Sequence, residues 1–191
     1  MPNHVTTKLT IEGPRENIEV FRTCHIKMKE GDEAFHFDLS TVIPRPEVLE
    51  GTVSGSNEET LPQNLKAKEE TGFLNWYDWS VENWGTKWNS YEFNWVEQRP
   101  EKLVFTFETA WSTPEPVLQK LVRMYPMLKF STMSFDECWN WASIGELHPK
   151  GMLRFNSVVP TPSMYKAVYG VDPEVEPLDN DEETKDPKEV H

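Results

Sequence analysis

Two neighbouring segments, residues 91–97 and 102–109, alternate in character, with aromatic side chains at Tyr91, Phe93 and Trp95 in the first and at Phe105 and Phe107 in the second. This alternation is typical of β-strands with one buried face. The Arg99-Pro100 pair between them indicates a loop of three or five residues, so we expect an antiparallel hairpin. A shift of the pairing by one residue would divide the aromatic side chains between the two faces. We therefore expect the register with the pairs Trp95–Phe105, Phe93–Phe107 and Tyr91–Thr109.

The other periodic segments predict an α+β fold. Residues 4–12 and 35–39 alternate as strands, and a helix between them begins near Pro14. Residues 112–126 have the clearest helical spacing, with Ser112 or Thr113 as the expected cap. The order of elements matches the split βαβ plan of a ferredoxin-like sandwich. We expect an antiparallel sheet with helices packed on one face, a helical insertion and an extra C-terminal hairpin.

The chain is expected to have three parts. Residues 1–158 form a single ferredoxin-like domain with an insertion at about 51–90, and residues 159–171 form a short helix or linker. Residues 172–191 hold nine acidic residues and two lysines, a net charge of −7 out of −13 for the whole chain. Such a composition favours a disordered tail.

The acidic balance limits the classes of partner. A net charge of −13 argues against direct binding to nucleic acid or to an anionic membrane surface, because both require clustered Lys and Arg. No apolar run approaches the length of a membrane span, and the N-terminal segment has no apolar signal region. We expect a cytoplasmic protein. The composition does not indicate an oligomeric state.

The sequence contains no recognisable catalytic motif. Its five histidines lack the spacing of metal ligands, and there is no glycine-rich phosphate loop or nucleophile elbow. We therefore expect no enzymatic activity, no cofactor and no metal. An enzyme acting on nucleic acid or nucleotides would have to bring His36, His148 and Asp136 into one pocket.

Five of the eight tryptophans lie within residues 74–95. Most of these rings are expected in the core, because each buries a large apolar area. Trp79 leaves the buried stripe of the helix predicted over residues 73–84, and Trp88 lies in the loop that follows. Trp79, Lys87 and Trp88 are therefore candidate contacts for a ligand or a protein partner. Lys87 lies between two tryptophans in the sequence, so it either forms a cation–π contact or is an ordinary loop lysine.

The acidic tail offers a second group of candidates. Acidic side chains can imitate the phosphates of a nucleic acid and occupy a basic groove on a host enzyme. The residues expected to act in this way are Asp179, Asp181, Glu182 and Glu183. The ordinary alternative is that the tail only keeps the protein soluble.

Four segments resemble, in order and spacing, the Api-like proteins of phages and plasmids. These segments are "TKLTIEGPRENIEVF", "FDLSTVIPRPEVL", "YDWSVENWGTKWN" and "FETAWSTPEPVLQKLVRMYP". The resemblance extends over residues 4–147, and its most specific parts are "ENWGTKWN" and "TAWSTPEPV". It implies a ferredoxin-like domain of unknown function, encoded by a phage or mobile element and acting in the bacterial cytoplasm. It implies no catalytic residues.

Two functional hypotheses follow. The first is a non-enzymatic accessory protein of a phage or mobile element that binds a host or defence protein, with inhibition by the acidic chain as one form of host takeover or anti-defence activity. The alternative is a small-ligand or nucleotide-binding domain that uses exposed tryptophans.

Overall fold

The structure is a computed structural model that describes residues 3–28, 34–55, 57, 59, 61–148 and 151–173. Eight strands and five α-helices are assigned within these ranges. In chain order they are β1 (His4–Glu12), α1 (Arg15–His25), β2 (Ile26–Met28), β3 (Phe35–Phe37), α2 (Pro62–Thr71), α3 (Trp76–Trp84), β4 (Tyr91–Arg99), β5 (Lys102–Ala110), α4 (Glu115–Met124), β6 (Lys129–Asp136), β7 (Ala142–His148), β8 (Met152–Val158) and α5 (Pro162–Tyr169). None of the helices in the described ranges has the length and apolar character needed to cross a membrane.

Six strands form one antiparallel sheet in the order β4-β5-β1-β6-β7-β8. The alternation in β1 places Leu9 and Ile11 on the face that α1 and α4 cover, where both are fully buried. Leu118 and Leu121 of α4 join the same core. The chain thus has the predicted α+β fold, a large antiparallel sheet with helices packed against it.

The core is largely aromatic, as the composition requires. Its largest fully buried side chains include five phenylalanines: Phe21, Phe37, Phe105, Phe107 and Phe130. Their rings contact one another in stacked, tilted and edge-to-face pairs with centroids 5.0 to 6.4 Å apart. Such contacts add to the area that each ring removes from water, so these side chains dominate the stability of the domain.

The second predicted strand does not join the main sheet. β3 is only three residues long and pairs with β2 in a separate two-stranded sheet. The alternation of residues 35–39 predicts that Phe35 and Phe37 both face inward; Phe37 is fully buried, but Phe35 is 42% exposed. The strand ends early because Asp38 Oδ1 accepts hydrogen bonds from Ser40 N at 3.0 Å and from Asn89 Nδ2 at 2.7 Å. These bonds turn the chain into a 3₁₀ helix, and neither His36 nor Asp38 lies in the six-stranded sheet.

The β4–β5 hairpin follows the predicted register only in part. The Trp95–Phe105 pair is confirmed, but Tyr91 lies opposite Glu108 rather than Thr109. The register shifts between Tyr91 and Asn94, where Glu92 has a φ of +47°, and it shifts again after Trp95. The second irregularity also shortens the expected loop, because Arg99 already pairs with Lys102. Irregularities of this kind are common on edge strands and hinder pairing with other chains.

The side-chain cap predicted for the helix over residues 112–126 is absent, whereas the last helix has one. Neither Ser112 nor Thr113 caps α4, because the Ser112 hydroxyl donates to the carbonyl of Gly85 and the Thr113 hydroxyl has no partner in the described structure. Thr161 does cap α5, since its Oγ1 accepts from Met164 N at 3.3 Å. Gly170 ends α5 in the left-handed conformation that favours glycine.

Helix α5 lies on the sheet face opposite α1 and α4. It packs on Phe135, which is fully buried in a second, smaller cluster with Val168. Lys8 Nζ donates a hydrogen bond of 2.6 Å to the carbonyl of Ala167 and joins α5 to β1. The sheet face opposite α1 and α4 is therefore partly covered by the chain's own helix.

Candidate functional site

Four side chains form a surface that we call the lysine–aromatic patch: Tyr77, Lys87, Trp88 and Trp111. Lys87 Nζ lies 4.8 Å from the ring centroid of Trp88, 5.3 Å from that of Trp111 and 5.9 Å from that of Tyr77. All three distances are within the range of cation–π attraction. One ammonium group is thus in contact with three aromatic rings.

Three separate segments supply the patch. Tyr77 lies in the first turn of α3, which Asn75 caps by accepting a 2.9 Å hydrogen bond from Asp78 N. Lys87 and Trp88 follow Gly85, the left-handed residue that ends α3. Trp111 comes directly after β5. The patch therefore depends on the tertiary fold and not on local sequence alone.

A pair of hydrogen bonds brings the loop and the strand together. Thr86 Oγ1 donates to Ala110 O at 2.9 Å and accepts from Ala110 N at 3.1 Å. Both residues are buried, so these bonds are shielded from water. Because Thr86 precedes Lys87 and Ala110 precedes Trp111, the pair places the lysine beside the tryptophan.

Trp111 adopts an unusual backbone conformation. Its φ is +70°, a region that bulky residues rarely occupy and that costs on the order of 1–2 kcal/mol. Its amide donates to Asn3 O at 2.9 Å, and its ring meets Tyr77 edge-on with centroids 5.9 Å apart. The side chain is nevertheless 40% exposed. The fold thus holds a large ring at the surface in a strained conformation, which is a feature often found at functional positions.

The groups that contact Lys87 differ from those that contact several other lysines of the chain. Lys66, Lys102 and Lys166 each form an ion pair with a carboxylate. Lys87 forms neither an ion pair nor a hydrogen bond with any residue that the structure describes; its contacts are the three rings. Among the described residues, this half-buried cation therefore has no counter-ion, although the protein as a whole is strongly acidic.

An open pocket of about 330 Å³ adjoins the patch. Its lining residues are Ser54, Gly55, Tyr77, Asp78, Lys87 and Trp111. Trp88 is not among them, so this ring supports Lys87 from outside the pocket. A larger surface depression of about 890 Å³ lies beside the β4–β5 turn, but Lys102 there is already paired with Glu12. The smaller pocket combines two partly exposed rings with a lysine that has no ion pair among the described residues.

The structure separates the three predicted contact residues. Lys87 and Trp88 lie together in the predicted cation–π arrangement, and Trp88 is half-buried. Trp79 was expected to be exposed, and this was wrong: it is 5% exposed and packs edge-on against Trp84 with centroids 5.4 Å apart. The buried side of α3 is broader than the predicted stripe, so Trp79 belongs to the core.

The acidic candidates Asp179, Asp181, Glu182 and Glu183 lie outside the described residues.

Two members of the patch were missed in the sequence. The helical spacing of residues 73–84 places Tyr77 on the face predicted to be buried, and Trp111 lies between the predicted strand and helix, outside both periodic patterns. The available signal was the position of Trp111 in a short connection between a strand and a helix, where large side chains are often exposed. The proximity of Tyr77 to Lys87 had no comparable local signal.

Polar side chains near the patch are mostly engaged in structural bonds. Tyr91 OH and Glu108 Oε2 lie 2.8 Å and 3.3 Å from His4 Nδ1, and burial raises the pKa of Tyr91 to about 12. Asp136 accepts hydrogen bonds from Asn3 and Asn140. Within the described ranges, no three His, Cys, Asp or Glu side chains are grouped closely enough to hold a metal ion.

The family-model comparison agrees with the fold and gives no activity. No curated protein matches the chain. The crystal structure of a protein api92 from Yersinia pseudotuberculosis is similar to it, with 9% sequence identity, a TM-score of 0.48, and coverage of 85% of this chain and 100% of that one. A family model described as the ferredoxin-like domain in Api92-like protein matches residues 83–147.

The matched range contains Lys87, Trp88 and Trp111, three of the four residues of the patch. The range also contains nearly all of "ENWGTKWN" and all of "TAWSTPEPV", the two most specific segments of the resemblance to Api-like proteins. Residues 4–82, which also belong to that resemblance, lie outside the matched range. Over residues 83–147, the chain is similar to the ferredoxin-like domain of Api92-like proteins.

Proposed function

We propose that this chain is a non-enzymatic binding protein that contacts a partner protein through the lysine–aromatic patch. The observation that carries the proposal is the arrangement of three partly exposed rings around Lys87, which has no counter-ion in the described structure. Trp and Tyr are the residues most enriched among the contacts that dominate protein–protein binding energy. A rigid ring such as Trp111 loses little conformational entropy when a partner covers it.

The same proposal includes a biological setting. We propose that the protein belongs to a phage or mobile element and acts in the bacterial cytoplasm on a host or defence protein. The sequence resemblance supports this setting, and the net charge of −13 supports a form of the proposal in which the acidic surface inhibits a basic target.

A capture experiment with matched variants tests the proposal. The intact protein is immobilised and exposed to bacterial lysate, beside Trp111→Gly and the control Val20→Ala. Val20 is 52% exposed on α1, an element that contributes no residue to the patch. We expect a protein that the parent and Val20→Ala retain equally and that Trp111→Gly retains about tenfold less. Equal capture by all three proteins, or capture of nothing by the parent, would contradict the proposal.

A second candidate is a small-ligand or nucleotide-binding domain. The pocket of about 330 Å³ beside Lys87 favours it, since the volume is at the lower end of the range for small-molecule sites. Tryptophan fluorescence would be recorded during titration with nucleotides and sugars. A saturable change that disappears in Trp111→Gly would favour this candidate, whereas no change across the panel would remove it.

A further inference from the structure

We infer that the lysine–aromatic patch recognises a carboxylate that lies next to an apolar group, as in a peptide segment where Asp or Glu adjoins a large apolar residue. This inference rests on the proposed function and specifies the chemistry of the partner. On this inference, the pocket between Tyr77 and Trp111 binds one short peptide segment of the partner and not an extended surface.

The charge of Lys87 supports the carboxylate. The ammonium group is half-buried, and its contacts among the described residues are ring faces, which attract a cation but accept hydrogen bonds only weakly. Its three N–H donors therefore lack a strong acceptor when a partner excludes water from the patch. A carboxylate provides that acceptor in a charge-assisted hydrogen bond, which is stronger than a neutral one.

The pocket lining supports the apolar neighbour. Tyr77 and Trp111 contribute ring surface to the pocket, and the two rings meet edge-on at 87°, forming a corner. A Leu, Ile or aromatic side chain that enters this corner removes its own apolar surface and that of both rings from water. The exposed Ser54 lies on the lining and adds a hydroxyl that can donate to the same carboxylate.

The acidic surroundings favour a single negative charge over a phosphate. Asp78 is exposed on the same lining, with its Oδ2 2.9 Å from Asn75 Nδ2. A phosphate group carries up to two negative charges near neutral pH and would be repelled by Asp78 and by the net charge of the protein. A carboxylate carries one negative charge, so Asp78 and the net charge of the protein repel it about half as strongly, and it retains the contact with Lys87. A peptide carboxylate is therefore the better fit than a nucleotide.

NMR of the intact protein can test this chemistry with small probes. The probes are N-acetyl-leucine, which has a free carboxylate, N-acetyl-leucinamide, which is its neutral counterpart, and adenosine monophosphate. The readout is the indole N–H signal of Trp111, identified by its loss in Trp111→Phe. We expect the carboxylate to shift this signal with about tenfold higher affinity than the amide.

Two substitutions at Lys87 isolate the charge. Lys87→Arg keeps a cation over the rings and should keep the preference for the carboxylate, whereas Lys87→Met should bind both leucine probes equally. Thermal melting of both variants controls for folding. Equal affinity for the two leucine probes in the parent protein overturns the inference, as does tighter binding of adenosine monophosphate or the absence of any shift.

The outcomes also separate this inference from the proposed function. If Lys87→Met captures the protein partner as well as the parent does, the carboxylate assignment fails while the patch remains a protein-binding surface. If the parent captures no partner that depends on Trp111, the proposed function itself fails.

Discussion

Thr86 and Ala110 form a reciprocal hydrogen-bonded pair, in which the Thr86 hydroxyl satisfies both the N–H and the C=O of Ala110 at 3.1 Å and 2.9 Å. The pair joins the loop after α3 to the end of β5 and holds Lys87 beside Trp111. It is the contact on which the geometry of the lysine–aromatic patch depends most directly.

Replacing Thr86 with Val should lower the free energy of unfolding by about 1–3 kcal/mol. The change preserves shape but leaves two buried backbone groups without a partner. Urea unfolding measures the loss, and broadening of the Trp111 indole signal should accompany it. Thr86→Ser keeps the hydroxyl and serves as the control. A Thr86→Val protein as stable as Thr86→Ser would show that the pair does not hold the patch.

At Trp111, glycine should be tolerated better than alanine. Both substitutions remove the ring, but only glycine adopts a φ of +70° without a steric penalty. We expect Trp111→Gly to be about 1 kcal/mol more stable than Trp111→Ala in urea unfolding, with partner binding equally weak in both. Equal stability of the two variants would indicate that the backbone relaxes when the ring is removed.

His25 should make the stability of the protein depend on pH. The residue is 1% exposed, and its ring nitrogens bond Thr41 Oγ1 at 2.7 Å and Tyr125 OH at 2.8 Å. Burial, together with the charge of Lys27, lowers the pKa of His25 to about 4. The unfolded chain takes up the proton near pH 6.5. The folded chain resists protonation until about pH 4, so acid favours unfolding between these values.

We therefore expect His25 to remove on the order of 1 kcal/mol of stability per pH unit as the pH falls from 6.5 towards 4. Urea unfolding at several pH values measures the slope. His25→Gln, which retains polar atoms but does not titrate, should show a smaller slope over the same interval. Parallel slopes for the two proteins would mean that His25 is protonated in the folded state.

Gln119 of α4 should protect the edge of the sheet. Its Oε1 accepts a 3.0 Å hydrogen bond from Leu153 N, and its Nε2 donates to the carbonyl of the same residue. The amide thus takes the place of a neighbouring strand along β8. Gln119→Ala should cost about 1–2 kcal/mol and speed hydrogen exchange at Leu153.

Gln119→Glu is the matched control for this edge. The carboxylate keeps the acceptor for Leu153 N and loses the donor, so its hydrogen exchange rate at Leu153 should lie between those of the parent and the alanine variant. An unchanged exchange rate in Gln119→Ala would show that water replaces the amide without loss.

The periodic spacing of apolar residues along the sequence predicted which face of a strand or helix is buried. The alternation in β1 correctly placed Leu9 and Ile11 in the core, and the aromatic spacing correctly paired Trp95 with Phe105. The spacing did not predict the irregularity near Glu92, because it results from a single backbone conformation that leaves the aromatic pattern unchanged. The early end of β3 likewise depends on a bond between Asp38 and the distant Asn89.

The candidate site was predictable only where its residues adjoin in sequence. Lys87 and Trp88 are neighbours, so their cation–π contact had a local signal. Trp111 is placed beside them by the hydrogen bond between Thr86 and Ala110, which are 24 positions apart in the sequence. The periodicity of a single strand or helix does not indicate such a contact. Trp79 was misplaced because a short helix that packs between several elements is buried on more than one side.

Photo-crosslinking at position 111 tests the central claim most directly. A benzoylphenylalanine side chain is introduced at Trp111 in one protein and at Val20, which is also exposed, in another. Both proteins are irradiated in bacterial cells. A protein-binding patch predicts a discrete crosslinked adduct from position 111 and none of that size from position 20. The same adducts from both positions, or none from position 111, would contradict a partner-binding role for the lysine–aromatic patch.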